Sequence, residues 1–175
     1  MYEKLKKELN TISFYSKMEF LLEVAETGNV DAMYFLGKLE YEQDNMELAF
    51  HWFQEAAKGG NADALFYLGT YYEHKFDTNI VEKDILKAVE YYEKSANAGS
   101  ALGMYEVAVR KLDASVWHKD DMEGITLLEK AADLGNVDAC KKLADCYRNG
   151  WFVDADIEKA INYLEDALFF AEEQI

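Results

Sequence analysis

The chemistry open to this chain depends on which reactive side chains stand near one another. Its three histidines, His51, His74 and His118, are scattered. His118 has two acids within three residues, Asp120 and Asp121. Such a trio could begin a metal site, yet no further ligand follows at zinc or calcium spacing. Cys140 and Cys146 are the two thiols. Six residues apart on one helix, they point roughly 120° apart and lie about 9 Å apart along the axis. They cannot bond to each other without unfolding that helix. Reduced thiols fit a cytoplasmic protein. Carboxylates are abundant, but nothing singles out a pair for acid–base work. The chain has no G-x-x-x-x-G-K-[ST], G-x-G-x-x-G, G-x-S-x-G or H-E-x-x-H. The sequence therefore predicts no enzyme, no metal site and no cofactor.

Charge narrows the partners. The formal net charge is −16 over 175 residues. Residues 1–17 carry Lys4, Lys6, Lys7 and Lys17 against Glu3 and Glu8, a net of +2 that leaves −18 on the rest. Neutralising phosphates needs a basic face, so nucleic acid is not an expected partner. An acidic field favours basic partners and speeds their approach. The same charge also serves solubility in an aromatic-rich chain. No apolar run approaches the roughly 18 residues of a membrane span. The start, Met1-Tyr-Glu-Lys-Leu-Lys-Lys, lacks an apolar core and a cleavage site, so no secretory signal is expected.

The elements that position these residues announce themselves by repetition. Ala25-Glu-Thr-Gly28-Asn29-Val-Asp-Ala32 returns as Ala57-Lys-Gly-Gly60-Asn61-Ala-Asp-Ala64, as Ala96-Asn-Ala-Gly99-Ser100-Ala-Leu-Gly103 and as Ala132-Asp-Leu-Gly135-Asn136-Val-Asp-Ala139. The glycines lie 32, 39 and 36 residues apart, a period that marks a repeat architecture. Asn29, Asn61, Ser100 and Asn136 can accept the orphan amides of a first helical turn. A second set of caps stands at Asn45, Asp84, Asp120 and Asp156, and Asp120 with Glu123 has the form of a capping box. The intervals 45 to 61, 84 to 100 and 120 to 136 are all sixteen residues, and Ser13 to Asn29 matches them. Each unit thus holds an A helix after the glycine-linked cap and a B helix that ends at the next glycine, where the backbone can turn left-handed.

Apolar spacing agrees. B helices read Ala49, Phe53, Ala56; Ala88, Tyr92, Ala96; and Ala160, Leu164, Ala167. A helices read Ala32, Leu36, Gly37; Ala64, Leu68, Gly69, Tyr72; and Ala139, Leu143, Ala144, Tyr147. These recur at helical spacing. A helical glycine costs about 1 kcal/mol against alanine, so Gly37 and Gly69 predict close packing. The third unit fits worst, with Gly103 for alanine and Lys111 where tyrosine is expected.

These residues resemble the Sel-one-like repeat family, a relative of the tetratricopeptide repeat. The signature is A-x-x-G-N-x-x-A, with Leu68-Gly69-Thr-Tyr-Tyr72 and the phrases Val81-Glu-Lys-Asp84-Ile-Leu-Lys87-Ala88 and Val153-Asp-Ala-Asp156-Ile-Glu-Lys159-Ala160. The first unit has a shorter loop and lacks the valine; Trp117 takes that place in the third. Some secreted members carry a disulfide within each repeat, and this chain does not. The resemblance implies an all-α, right-handed superhelical solenoid of about four and a half helix pairs. Residues 1–12 would be an N-terminal capping segment and 13–175 the single solenoid domain.

The resemblance also implies an adaptor without chemistry of its own, binding another protein on a concave face lined by A helices. Carried over by position, that face comprises Tyr34, Phe35, Lys38 and Tyr41; Phe66, Tyr67, Thr70 and Glu73; Tyr105, Glu106 and Val109; and Lys141, Lys142, Asp145 and Arg148. The aromatics could anchor a peptide or pack against neighbouring A helices. The basic residues could receive a carboxylate or form a solvated face. Trp151 and Phe152 add aromatic bulk to a loop. The last helix is apolar on several sides, which leaves self-association or docking of another protein open. A different reading rests on charge alone: an acidic inhibitor or immunity-type protein that covers a basic enzyme.

Overall fold

A computed structural model describes residues 14–74, 80–113 and 121–173. Every described element is an α-helix. They are α1 (Phe14–Glu26), α2 (Val30–Glu42), α3 (Met46–Lys58), α4 (Ala62–Glu73), α5 (Ile85–Asn97), α6 (Ala101–Asp113), α7 (Asp121–Asp133), α8 (Val137–Asn149) and α9 (Ile157–Glu173). The expected alternation of A helices (α2, α4, α6, α8) and B helices (α3, α5, α7, α9) is present. Helix α1 occupies the place of an earlier B helix.

Local chemistry sets the boundaries. Asn29, Asn61 and Asn136 accept the amides of Ala32, Ala64 and Ala139 at 2.9, 2.9 and 2.8 Å. Ser100 accepts from Gly103 at 3.3 Å. Each cap follows a glycine with positive φ, between 82° and 97° at Gly28, Gly60, Gly99 and Gly135, where a side chain would be strained. Asp84 and Asp156 cap α5 and α9 through the amides of Lys87 and Lys159. Asn45 departs from expectation. Its side chain makes no cap bond; its Nδ2 instead donates to the buried Glu40 carboxylate at 2.8 Å. The carboxylate needs a donor more than the helix start needs an acceptor, because an unpaired buried charge costs several kcal/mol. Asp120, Trp117 and His118 lie outside the described residues. Glu123 accepts from Lys111 Nζ at 2.7 Å.

The chain forms two compact units, Met1–Tyr91 and Tyr92–Ile175, with the boundary inside α5. In the first unit α1 packs on α2, α2 on α3 and α3 on α4. Its cores join Leu21, Ala25, Ala32 and Leu36, and then Tyr34, Ala49, Phe53, Ala56, Ala64, Leu68 and Tyr71. In the second, α6 to α9 pack in the same serial way around Leu112, Leu128, Leu143, Cys140 and Cys146. Burying each large apolar side chain contributes roughly 1.5–3 kcal/mol.

The alanines and Gly37 serve close approach, as their positions predict. A methyl group on Gly37 would stand 2.7 Å from the Phe53 ring. The tyrosine of the L-G-x-x-Y phrase behaves differently. Tyr71, not Tyr72, is the fully buried member of the pair. Its hydroxyl donates to the Met46 carbonyl at 2.8 Å, and burial pushes its phenol well above the ordinary range. Tyr72 is half-buried, stacks on Tyr91 at 5.5 Å, and has Lys87 Nζ 4.2 Å from its ring centre.

Candidate functional site

The A-helix residues proposed as a binding face divide by how much packing they already do. In the first unit they surround Phe53 of α3. This ring is fully buried and lies face to face with Tyr67, centroids 4.5 Å apart and planes 6° from parallel. Tyr34 closes on Phe53 at 6.3 Å and on Tyr67 at 6.0 Å. Tyr41 meets Tyr67 edge-on at 5.6 Å. Such aromatic pairs add about 0.5–1.5 kcal/mol each beyond area burial.

Tyr34 is therefore a core residue, only 3% exposed. Its expected place on an accessible wall is corrected: the ring of Phe53, arriving from α3, draws it inward. Tyr67 and Tyr41 are half-buried in the same aromatic cluster. Phe35, Lys38, Phe66, Thr70 and Glu73 are also half-buried and keep part of their surface in water. The Thr70 hydroxyl donates to the Tyr67 carbonyl at 2.7 Å. Glu73 lies 3.9 Å from His74. The accessible part of this face is thus shared among Phe35, Lys38, Tyr41, Phe66, Tyr67, Thr70 and Glu73.

The second unit places α6 and α8 side chains in a more polar setting. Tyr105 and Val109 are half-buried. Burial, with Asp138, Glu106 and Asp113 nearby, raises the Tyr105 phenol. Glu106 is ion-paired with Arg110, whose guanidinium also lies 4.6 Å from the Tyr92 ring centre. The basic residues of α8 are engaged along their own helix. Lys141 reaches Asp138 at 3.4 Å and Arg148 reaches Asp145 at 2.7 Å. Exposed pairs of this kind contribute roughly 0–1 kcal/mol and exchange readily for an incoming anion. Lys142 is half-buried on the same helix.

Arg110 was not singled out by the sequence, although its spacing four residues after Glu106 is a signal for an ion pair. Among the loop aromatics, Trp151 is 54% exposed. Phe152 is half-buried against the core of the second unit, with a left-handed φ of 67°. Both thiols are buried and raised by desolvation. Among the described residues no group of three or more His, Cys, Asp and Glu could hold a metal. No described helix is long and apolar enough to cross a membrane. A surface hollow of about 590 Å³ is lined by Tyr72 of α4 with Val81, Asp84 and Lys87 among others.

Serial helix pairs, capped by Gly-Asn and packed through alanines, define an all-α repeat protein. The Sel1 repeat model matches residues 30–61, 62–100, 118–136 and 137–167; the chain belongs to the Sel1 repeat family. The third match lacks helix α6, the helix that carries Gly103 and Lys111.

Among solved structures the chain is similar to a Sel1 repeat protein from Oxalobacter formigenes, with 23% identity, a TM-score of 0.68, and coverage of 87% of this chain and 61% of that one. It is also similar to c5321, a protective antigen of uropathogenic Escherichia coli with an SLR fold, at 27% identity, TM-score 0.66, and coverage of 89% and 33%. A Sel1 repeat protein from Klebsiella pneumoniae gives 27%, 0.68, and coverage of 88% and 74%. The chain thus spans less than two thirds of the length of the first two. No curated protein matches it. Sel1 repeats generally act as protein–protein interaction modules on a non-catalytic scaffold.

Proposed function

We propose that this chain is a non-catalytic cytoplasmic adaptor that binds a partner protein on the A-helix face. The observation that carries the reading is the half-exposed set Phe35, Lys38 and Phe66 on α2 and α4. Aromatic edges beside a charge are what a peptide or helix anchor uses. In the second unit the candidates on α6 and α8 are Tyr105, Val109 and Lys142, and Lys141 and Arg148 can release their own-helix carboxylates to a ligand. The net charge of −16 favours a partner with a basic surface. Two buried, unpaired thiols support a reducing compartment.

The test is affinity capture from native lysate with wild type and with Phe66→Ala combined with Lys38→Glu. Tyr34 must be left alone, because removing it strikes the core. The double variant should keep its thermal midpoint and lose the captured protein. Undiminished capture by a folded variant would refute the A-helix face. A covering role over a basic enzyme would show instead as binding that collapses with salt and survives this variant.

A further inference from the structure

Helix α9 carries an apolar seam that the described residues leave uncovered. Ile157, Ile161, Leu164 and Leu168 follow one another at steps of four, three and four residues, the spacing of a coiled-coil seam. They are 59, 50, 45 and 67% exposed. The inner face of α9 is occupied. Ala160 and Ala167 are buried, and Tyr163 stacks on Tyr147 of α8 at 5.8 Å.

The other B helices show what such a seam receives. Ile161 and Leu164 stand as far after Asp156 as Phe50 and Phe53 stand after Asn45, and as Ile125 and Leu128 after Asp120. Phe53 and Leu128 are fully buried and Ile125 is 7% exposed. In the first unit the cover is the helix that follows: Phe53 stacks on Tyr67 at 4.5 Å, and Phe50 meets Tyr71 at 4.9 Å. The seam on α9 is therefore shaped as the seat of an α-helix.

Charge selects the occupant. Glu158, Glu165 and Glu172 recur every seven residues beside the seam, and all three are exposed. Residues at this flank face the flank of a partner helix and set partner choice. A second copy, paired antiparallel about a two-fold axis, would set the glutamate row against itself. Like charges so placed oppose association. A row of lysine or arginine would complement it. We propose that α9 docks an amphipathic helix of a partner protein, with an apolar seam of the same spacing and a basic flank. This surface is distinct from the A-helix face, and neither depends on the other.

The test uses two synthetic helical peptides of about 20 residues with one Ile/Leu seam, flanked by lysines in one and glutamates in the other. They are titrated into the full chain by fluorescence anisotropy. The lysine peptide should bind at least about tenfold more tightly than the glutamate peptide. I161S/L168S, which alters only exposed side chains, should weaken it by about tenfold or more and leave the melting curve unchanged. E158K/E165K/E172K should reverse the preference. Absence of binding, equal binding of both peptides, or binding indifferent to I161S/L168S overturns the proposal. So does a concentration-dependent dimer in sedimentation that I161S/L168S abolishes, because the seat would then belong to a second copy.

Discussion

Ser95 and Gly103 meet so closely that a methyl group on Gly103 would stand 2.5 Å from the serine Oγ and 2.6 Å from the Ala96 amide nitrogen. These two residues occupy the places of Ala56 and Ala64, and of Ala131 and Ala139, in the neighbouring repeats. The glycine that departs from the family phrase thus answers a larger residue across the contact. Gly103→Ala should gain about 1 kcal/mol of helix propensity. The clash with backbone, which cannot rotate away, outweighs this, and a net loss of about 1–3 kcal/mol is expected in urea unfolding. Adding Ser95→Ala should recover only part of the loss, since the amide contact remains. Full recovery in the double-mutant cycle would show that the hydroxyl alone sets the spacing.

Asn61 does two jobs that only an amide can combine. Its Oδ1 accepts from the Ala64 amide at 2.9 Å, and its Nδ2 donates to the Asp31 carboxylate at 3.3 Å. Aspartate is as good a helix cap as asparagine. Asn61→Asp should nevertheless destabilise by about 1 kcal/mol at neutral pH, because it removes a donor and sets two carboxylates together. That repulsion raises the folded-state pKa of the pair. The deficit should be present when both are ionised and fade as pH falls through the carboxylate range. Unfolding midpoints at pH 7 and pH 4 that differ from wild type by the same amount would exclude it.

The repeat was legible because its punctuation is local. A left-handed residue demands glycine, and an exposed amide demands a short acceptor, whatever the helices later touch. What each helix faces is not local. Tyr71 and Tyr72 both continue the spacing from Leu68, and only the Met46 carbonyl and Phe50 of α3 decide that Tyr71 goes inside. Tyr34 has the A-helix position of a wall residue, yet Phe53, which comes from another element, takes it into the core. Asn45 has the form of a cap, but a buried Glu40 competes for its amide. The seam on α9 stands in the sequence as a four–three–four pattern, and its exposure emerges only once the inner face is assigned.

Tyr34 and Lys38 lie four residues apart on α2, with opposite duties. Tyr34→Ala removes a ring from the Phe53 cluster and should cost about 3–5 kcal/mol. Lys38→Glu should alter stability by no more than about 0.5 kcal/mol. Thermal melts of the two variants distinguish packing from surface. Equal, small losses would place Tyr34 outside the core.

Cys140 and Cys146 are fully buried within α8, and desolvation raises both thiols. The thiolate is the reactive form. In the folded chain both should react with a disulfide reagent far more slowly than a free thiol, at a rate limited by opening of the second unit. In denaturant both should react at once. Rapid modification of either in buffer would mean that α8 opens readily.

Tyr163 provides a pH test of the α8–α9 contact. Burial, reinforced by Glu129 and by the stacked Tyr147, pushes its phenol from 10.0 up to about 12. The folded chain then holds this proton more tightly than the unfolded chain does. Its contribution is complete below pH 10 and is lost as pH rises toward 12. Tyr71, Tyr105 and Tyr147 are raised in the same direction, so the residue is isolated by difference. Tyr163→Phe should lose less stability than wild type across that interval, in urea unfolding stepped through alkaline pH. Its tyrosinate absorbance curve should lack the late-titrating part of the wild-type curve. Parallel stability profiles for the two proteins would mean that this phenol titrates alike in the folded and unfolded chain, and that the α8–α9 contact is open to hydroxide.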